Sequence, residues 1–185
     1  FKQKSMGIVL KRRDNANIVK TIYGGIIDII LNEQDIKKSL NFLDDSLQKL
    51  AKGTYPLEEL IVTKTLRGFY KNPLQIAHKV LADRMKKRDP GNAPESNDRV
   101  PYIYIEVKDV IKNNKKQKTL QGDRIEDPKY IVEKNLTPDY GHYITNQIMK
   151  PCIQLYGLEL EKLSGYKHKN DKKFWKNKQK ILMEE

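Results

Sequence analysis

Hydrophobic positions along the chain alternate between a helical repeat and short continuous runs, and each change of repeat marks an element boundary. Met6 to Lys11 (MGIVLK) reads as a short strand ending in the cations Lys11, Arg12 and Arg13. Asp14 follows as a candidate N-cap. Ile18, Ile22, Ile26 and Ile30 then recur every four residues, and Ile27, Ile29 and Leu31 add apolar surface on other sides. That pattern predicts a buried helix. Gly24 and Gly25 within it weaken the helix intrinsically and predict a closely packed neighbour. A second helix is expected from about Glu33 to Lys52. Its stripe is Ile36, Leu40, Leu43, Leu47 and Leu50, with Asn32 as cap, Glu33 and Asp35 at the positive end of the dipole and Gly53 as terminator.

Leu60 to Thr65 (LIVTKT) reads as a strand. Asn72-Pro73 opens a third helix with apolar side Ile76, Val80, Leu81 and Met85, and Asp89-Pro90-Gly91 stops it. Val100 to Val107 (VPYIYIEV) gives the strongest strand signal and can pair with the first strand in a small sheet. Asn113 to Lys118 is a charged surface turn. Asp139 caps a fourth helix carrying Ile144, Ile148, Cys152, Leu155 and Leu160, which Pro151 should kink. From Lys167 the chain is basic and polar around Phe174 and Trp175, a tail that is helical at best. The fold class expected is mainly α with a small antiparallel β element, an α+β helical domain. No internal repeat is apparent.

Length and composition narrow the function class. The 185 residues suit one domain, or one with an appendage. The 36 Lys+Arg against 24 Asp+Glu give a net charge of +12, the electrostatic footprint of a polyanion binder, although a merely soluble basic protein shares it. No apolar run approaches the roughly 18–20 residues of a membrane span, no secretory leader is read, and no membrane partner is expected. Cys152 is the single cysteine, which excludes a disulfide framework and any multi-cysteine zinc site.

No complete catalytic constellation is legible. Asp44-Asp45 lies beside Leu43 and Leu47 on a helix and reads as a solvated face, not a two-metal site. There is no Walker-type glycine loop. His78, His142 and His168 share no metal-ligand spacing. Gly122-Asp123-Arg124 is a turn signal only. Gln179-Lys180-Ile181-Leu182 faintly resembles a sliding-clamp peptide without its paired aromatics.

What recurs is positive charge at the edges of ordered elements: Lys11, Arg12 and Arg13 at one strand end, Lys64 and Arg67 at another, Lys79, Arg84 and Arg88 on the third helix, and Arg99 at a strand entrance. Cations on rigid mounts lose less entropy on ligation, and arginine forks fit phosphate oxygens. For any one of them an internal ion pair is the competing reading, for example Asp83 with Lys87 at helical spacing, or Arg12 and Arg13 with acidic neighbours such as Asp14. Tyr102 and Tyr104 could form a stacking pair, but their strand is expected to pack against helices. No base-reading grammar is present, so binding to backbone is expected, tolerant of sequence and sensitive to salt. A basic RNA-binding or scaffold module is the alternative. An independent nuclease would need metal-binding carboxylates.

Several stretches in order, LKRRDNANIVK (10–20), LIVTKTLRGFY (60–70), IAHKVLADRMKKRDPGNAPESNDRVPYIYI (76–105), EDPKYIVEKN (126–135) and DYGHYITNQIMKP (139–151), resemble the C-terminal part of a family B DNA polymerase. The resemblance covers about residues 5 to 160 and is closest to delta-type enzymes and those of large DNA viruses. It implies a last strip of palm at 1–13, a thumb at 14–165 and a basic tail at 166–185. In that family the thumb is mainly helical with a small β element and wraps primer–template duplex through its sugar-phosphate backbone. The family's catalytic aspartates and its lysine-rich primer segment belong upstream and find no match here. The chain therefore looks like part of a longer protein, inactive alone, with no catalytic residue, metal or cofactor of its own and Mg²⁺ acting in the whole enzyme. Implied partners are duplex DNA, the palm, fingers and exonuclease, and, as a candidate, a processivity factor. The implied location is the nucleus or a cytoplasmic viral replication site. Delta-type enzymes also carry two cysteine-rich metal modules after the thumb. With Cys152 alone the sequence departs from that pattern and fits a viral type better.

Overall fold

The structure, a computed structural model, describes residues 9–107, 111–112, 115–116 and 120–164. The expected strand residues before Val9, the turn at 113–114, the side chain of Leu160, and His168, Phe174, Trp175 and the Gln179–Leu182 run lie outside them.

Helix α1 (Asn17–Asp28) buries the isoleucine row, with Ile18, Ile22 and Ile26 fully inaccessible. It does not start where the sequence suggests. Val9–Lys11 is a turn of 3₁₀ helix, not strand, and Asn15 Nδ2 donates to the Val9 carbonyl at 3.2 Å. Asp14 is no cap either: its carboxylate is taken by Arg12 and Lys64, and Ala16 occupies the cap position. Of the two glycines, Gly25 faces the Phe42 ring so closely that a Cβ would come within 2.5 Å of it. At Gly24 the nearest atom would be Leu10 Cδ2 at 3.4 Å, an ordinary contact.

After α1 the backbone widens into a π-helix (Ile29–Glu33) and turns at Gln34, which has φ 55°. This reset moves the start of α2 (Ile36–Ala51) past the expected cap. Asp35, not Asn32, accepts from the Lys38 amide at 2.8 Å, while Asn32 donates to Asp28 Oδ1 at 2.5 Å. Leu43 and Leu50 lie in the core, and Gly53 ends the helix with φ 68°.

Strand β1 (Val62–Thr65) pairs antiparallel with β2 (Arg99–Tyr104), placing Val62 opposite Tyr102 and Thr65 opposite Arg99. Between them, Pro73–Gln75 forms a 3₁₀ turn and α3 (Ala77–Arg88) follows, so Asn72-Pro73 opens a short turn and the helix proper starts after Ile76. The short pair β3 (Ile111–Lys112) and β4 (Lys115–Lys116) forms a separate antiparallel ribbon around the predicted charged turn. Two elements were not legible from periodicity. Strand β5 (Ile125–Glu126) pairs antiparallel with β2 and completes a three-stranded sheet of order β1-β2-β5. Helix α4 (Pro128–Lys134) follows, capped by Asp127 and closed by Asn135 in the left-handed region.

The last helical run begins at α5 (Tyr140–His142), where Asp139 accepts from the His142 amide at 2.9 Å as expected of a cap. It widens into a π-helix (Tyr143–Ile148) and continues as α6 (Met149–Ser164). The widening lies just before Pro151, whose missing N–H and ring disfavour regular helix there. Tyr143 is buried at this wide turn, and its hydroxyl donates to the Leu60 carbonyl at 2.6 Å and accepts from the Tyr104 amide at 3.1 Å. Tyr156 donates to Ser39 Oγ at 3.0 Å, tying α6 to α2. Burial pushes the Cys152 thiol and the Tyr156 hydroxyl up to about 12, so both stay neutral inside the core. The molecule is thus mostly helical around a small antiparallel sheet. Among the described residues no helix is long and apolar enough to cross a membrane.

Candidate nucleic-acid interface

The nine cations singled out from sequence divide into three settings. The first gathers around the β1–β2 pairing. Lys64 lies 2.8 Å from Asp14, and Arg12 lies 3.1 Å from the same carboxylate. The hydrogen bond from the Lys64 ammonium, with Arg12 adding to it, holds the Asp14 carboxyl at about 2, well below its ordinary range. Arg99 lays its guanidinium along the neighbouring strand: it donates to Thr63 Oγ1 at 2.6 Å, to the Thr63 carbonyl at 3.1 Å and to the Arg13 carbonyl at 3.3 Å. These acceptors are neutral, so the Arg99 charge is positioned without being cancelled. The exposed Arg13 and Lys11 side chains have no hydrogen bond or ion pair among the described residues.

The second setting is a part-buried seam. Arg84 and Arg88, one turn apart on α3, converge on Glu126 of β5, which is only 4% exposed. Arg88 reaches both carboxylate oxygens, at 2.8 and 3.1 Å, and its guanidinium lies 3.6 Å from the centre of the Tyr130 ring. Arg84 donates to the carbonyls of Gly122 and Ile125. Its Nε is 3.2 Å from Glu126, an ion-pair distance without hydrogen-bond geometry. The sequence pattern did not reveal this partner because Glu126 lies 38 residues beyond Arg88 and reads as one acid among many. The helical pair expected for Asp83 also goes elsewhere, to Lys79 at 2.5 Å and not to Lys87.

The third setting is an open cleft of about 430 Å³ between the exit of β1, α3 and the loop before β2. Arg67, Lys79 and Lys86 line it, together with Asp83 and Glu95. Arg67, Lys86 and Lys87 have no hydrogen bond or ion pair through their side chains among the described residues. From Leu60 to Arg88 the chain carries eight Lys and Arg side chains and one acid, Asp83. Such a segment attracts a polyanion whatever its sequence. Tyr70, beneath the cleft loop, accepts from the Arg67 amide at 2.7 Å and lies 3.0 Å from His78 Nε2. Burial, with Lys64 and Arg67 nearby, lowers the His78 pKa and keeps its ring neutral.

The tyrosine pair does not form an open stacking platform. Tyr102 is buried, and Tyr104 stacks on His142 at 3.8 Å between ring centres and meets Tyr143 edge-on. Asp44 accepts from Gln48 at 2.9 Å on the exposed face of α2. Among the described residues no group of three or more His, Cys, Asp or Glu side chains is placed to hold a metal ion.

The model of DNA polymerase family B matches residues 2–157. The chain belongs to DNA polymerase family B. Within that family it is 62% identical over 160 residues to the DNA polymerase of Pyramimonas orientalis virus, covering 86% of this chain and 13% of the viral protein. Against the DNA polymerase of Acanthamoeba polyphaga mimivirus it is 54% identical over 158 residues, 85% of this chain and 9% of the relative. The DNA polymerase delta catalytic subunit of Candida albicans is 34% identical over 155 residues, 84% of this chain and 14% of the relative. The family B chain therefore spans roughly a tenth of the length of its viral relatives. Its fold is similar to that of the family B DNA polymerase from the hyperthermophilic archaeon Pyrobaculum calidifontis, with a TM-score of 0.57 at 18% identity over 76% of this chain and 17% of that one.

Proposed function

We propose that this family B segment is the thumb of a DNA-directed DNA polymerase, with residues 1–13 as palm edge and 166–185 as a basic tail. It holds primer–template duplex by its phosphates while nucleotide addition proceeds elsewhere in the whole protein. The observation that carries the reading is the Leu60–Arg88 run, eight cations to one acid, in which Arg67, Lys71, Lys86 and Lys87 are exposed with no side-chain hydrogen bond or ion pair among the described residues. Phosphate contacts fix position and carry no sequence information, as a polymerase on arbitrary templates requires. Lys11, Arg13, Arg67 and Lys79 are assigned to phosphate, with Lys64 and Arg12 contributing through the cluster they share with Asp14. Arg99 is assigned to the same face, braced by Thr63.

The whole protein would then extend DNA from deoxynucleoside triphosphates with Mg²⁺, at the family's replication site in the nucleus or in a cytoplasmic viral compartment. Its other partners would be the palm, fingers, exonuclease and a processivity factor. The described residues of this chain offer no donor set that fits Mg²⁺, and no catalytic step is assigned to them.

Titrating the protein with duplex DNA at rising salt tests the grip. Non-specific affinity on the order of 10⁻⁴–10⁻⁶ M at physiological salt is expected, falling steeply on a log–log plot. Arg67→Ala should reduce that slope by about one phosphate contact. A flat salt response, or stronger binding of folded RNA than of duplex DNA, would remove the proposal.

A further inference from the structure

The loop joining β1 to α3 holds Phe69 in solvent, 83% exposed, with Leu74 70% exposed beside it. Burying such a ring would stabilise the fold, and this one forgoes it. The loop is nevertheless anchored on both sides of the ring. Leu66 donates its amide to the Asp98 carbonyl at 2.8 Å and accepts from the Asn97 amide at 2.7 Å. Tyr70, next to Phe69, is fixed by the Arg67 amide and by His78, whose ring it meets edge-on. The 3₁₀ turn Pro73–Gln75 closes the loop. Phe69 is therefore presented by its neighbours, not left on a slack segment.

Charge identifies what the ring is presented to. Arg67 and Lys71 stand two residues to either side of Phe69, both exposed, and neither side chain has a hydrogen bond or ion pair among the described residues. No acid occurs from Leu60 to Ala82. Of the acids lining the adjoining cleft, Asp83 is engaged by Lys79, and Glu95 sits on the far loop. A planar apolar face framed by cations matches a nucleotide, whose base stacks while its phosphates meet the charges. A duplex rail would use the cations and leave the ring idle.

We propose that Phe69, with Arg67 and Lys71, forms a stacking site for an unpaired nucleobase of the DNA that this segment holds. The inference rests on the DNA-gripping role argued above and adds a single-stranded element to it.

The test uses the full-length protein that contains this segment. Fluorescence anisotropy measures its binding to an oligothymidylate and to a blunt duplex over a salt series. Photo-crosslinking uses the oligothymidylate with 5-bromodeoxyuridine substituted for thymidine. Phe69→Ala and Phe69→Leu should weaken single-strand binding about 5- to 100-fold with an unchanged salt slope. Phe69→Trp should keep it, duplex affinity should hold, and the crosslink should map to residue 69. Unchanged single-strand affinity in Phe69→Leu, or an equal loss for duplex, overturns the proposal. So does a drop in thermal midpoint in Phe69→Ala, which would place the ring against another part of the protein. Failure of the stacking site leaves steep duplex binding intact, whereas failure of the grip abolishes that dependence, so the two are told apart.

Discussion

Glu126 shows how a single acid can redirect two arginines. A carboxylate that is 4% exposed is tolerable only when paired and hydrogen-bonded, and Arg84 and Arg88 supply that pairing from α3. Replacing it with glutamine leaves both guanidiniums facing a neutral group in a half-buried seam. Glu126→Gln should therefore cost roughly 2–3 kcal/mol in urea unfolding, near the lower end for a broken buried pair because the arginines remain about a third exposed. Its effect on DNA affinity should be small if the two arginines serve the fold. Asp14 gives a second test at this scale. Its folded pKa is depressed to about 2 from an ordinary 3.8, so the stability it contributes is fully present above about pH 4 and is lost as pH falls toward 2. In Asp14→Asn the thermal midpoint should fall less steeply across that window than in the parent protein.

Elements were legible where apolar spacing was long and regular. The isoleucine row of α1, the leucine stripe of α2 and the β1–β2 pairing all follow from local pattern. Strand β5 and helix α4 did not, because two residues are too few for an alternation and seven are too few for a helical stripe. Their signals were chemical instead: Asp127 before Pro128 as a start, and Asn135 as a left-handed stop. The described end of the strand expected at Met6–Lys11, Val9–Lys11, shows the opposite error, since β-prone residues take that form only beside a partner strand, and here the chain packs against α1 as a 3₁₀ turn. In the candidate site, the location of the cations was readable, but which of them are spent on Glu126 was not, since pairing across 38 residues depends on tertiary structure. The glycine pair offers an element-level check. Gly24→Ala should stabilise the protein by up to about 1 kcal/mol through helix propensity, while Gly25→Ala should destabilise it by about 1 kcal/mol or more because the Phe42 ring must move. Chemical denaturation of the two single variants decides the ordering.

At the scale of the whole molecule, the cations of α3 and the loop before it divide between two roles. Arg84 and Arg88 are turned inward to join α3 to the sheet and α4, while Arg67, Lys86 and Lys87 remain available on the outside of the same hairpin-and-helix unit. The inward pair joins α3 to β5 and the outward set does not, so the stability of the Glu126 seam and the salt dependence of the proposed DNA binding are separable measurements. A last consequence follows from the wide turn at Tyr143–Ile148. An α-helix advances about 100° per residue, and a π turn takes in one more residue at a smaller advance for each, so the wide turn absorbs an extra residue while the helix beyond it keeps its phase. Deleting one exposed residue there would let the helix regularise with Cys152 and Tyr156 still facing α2, whereas a deletion just after it, at Met149 or Lys150, would swing them by about 100°. A one-residue deletion should therefore be better tolerated within the wide turn, away from Tyr143, than in the regular helix that follows, and thermal unfolding of the two deletions checks the order.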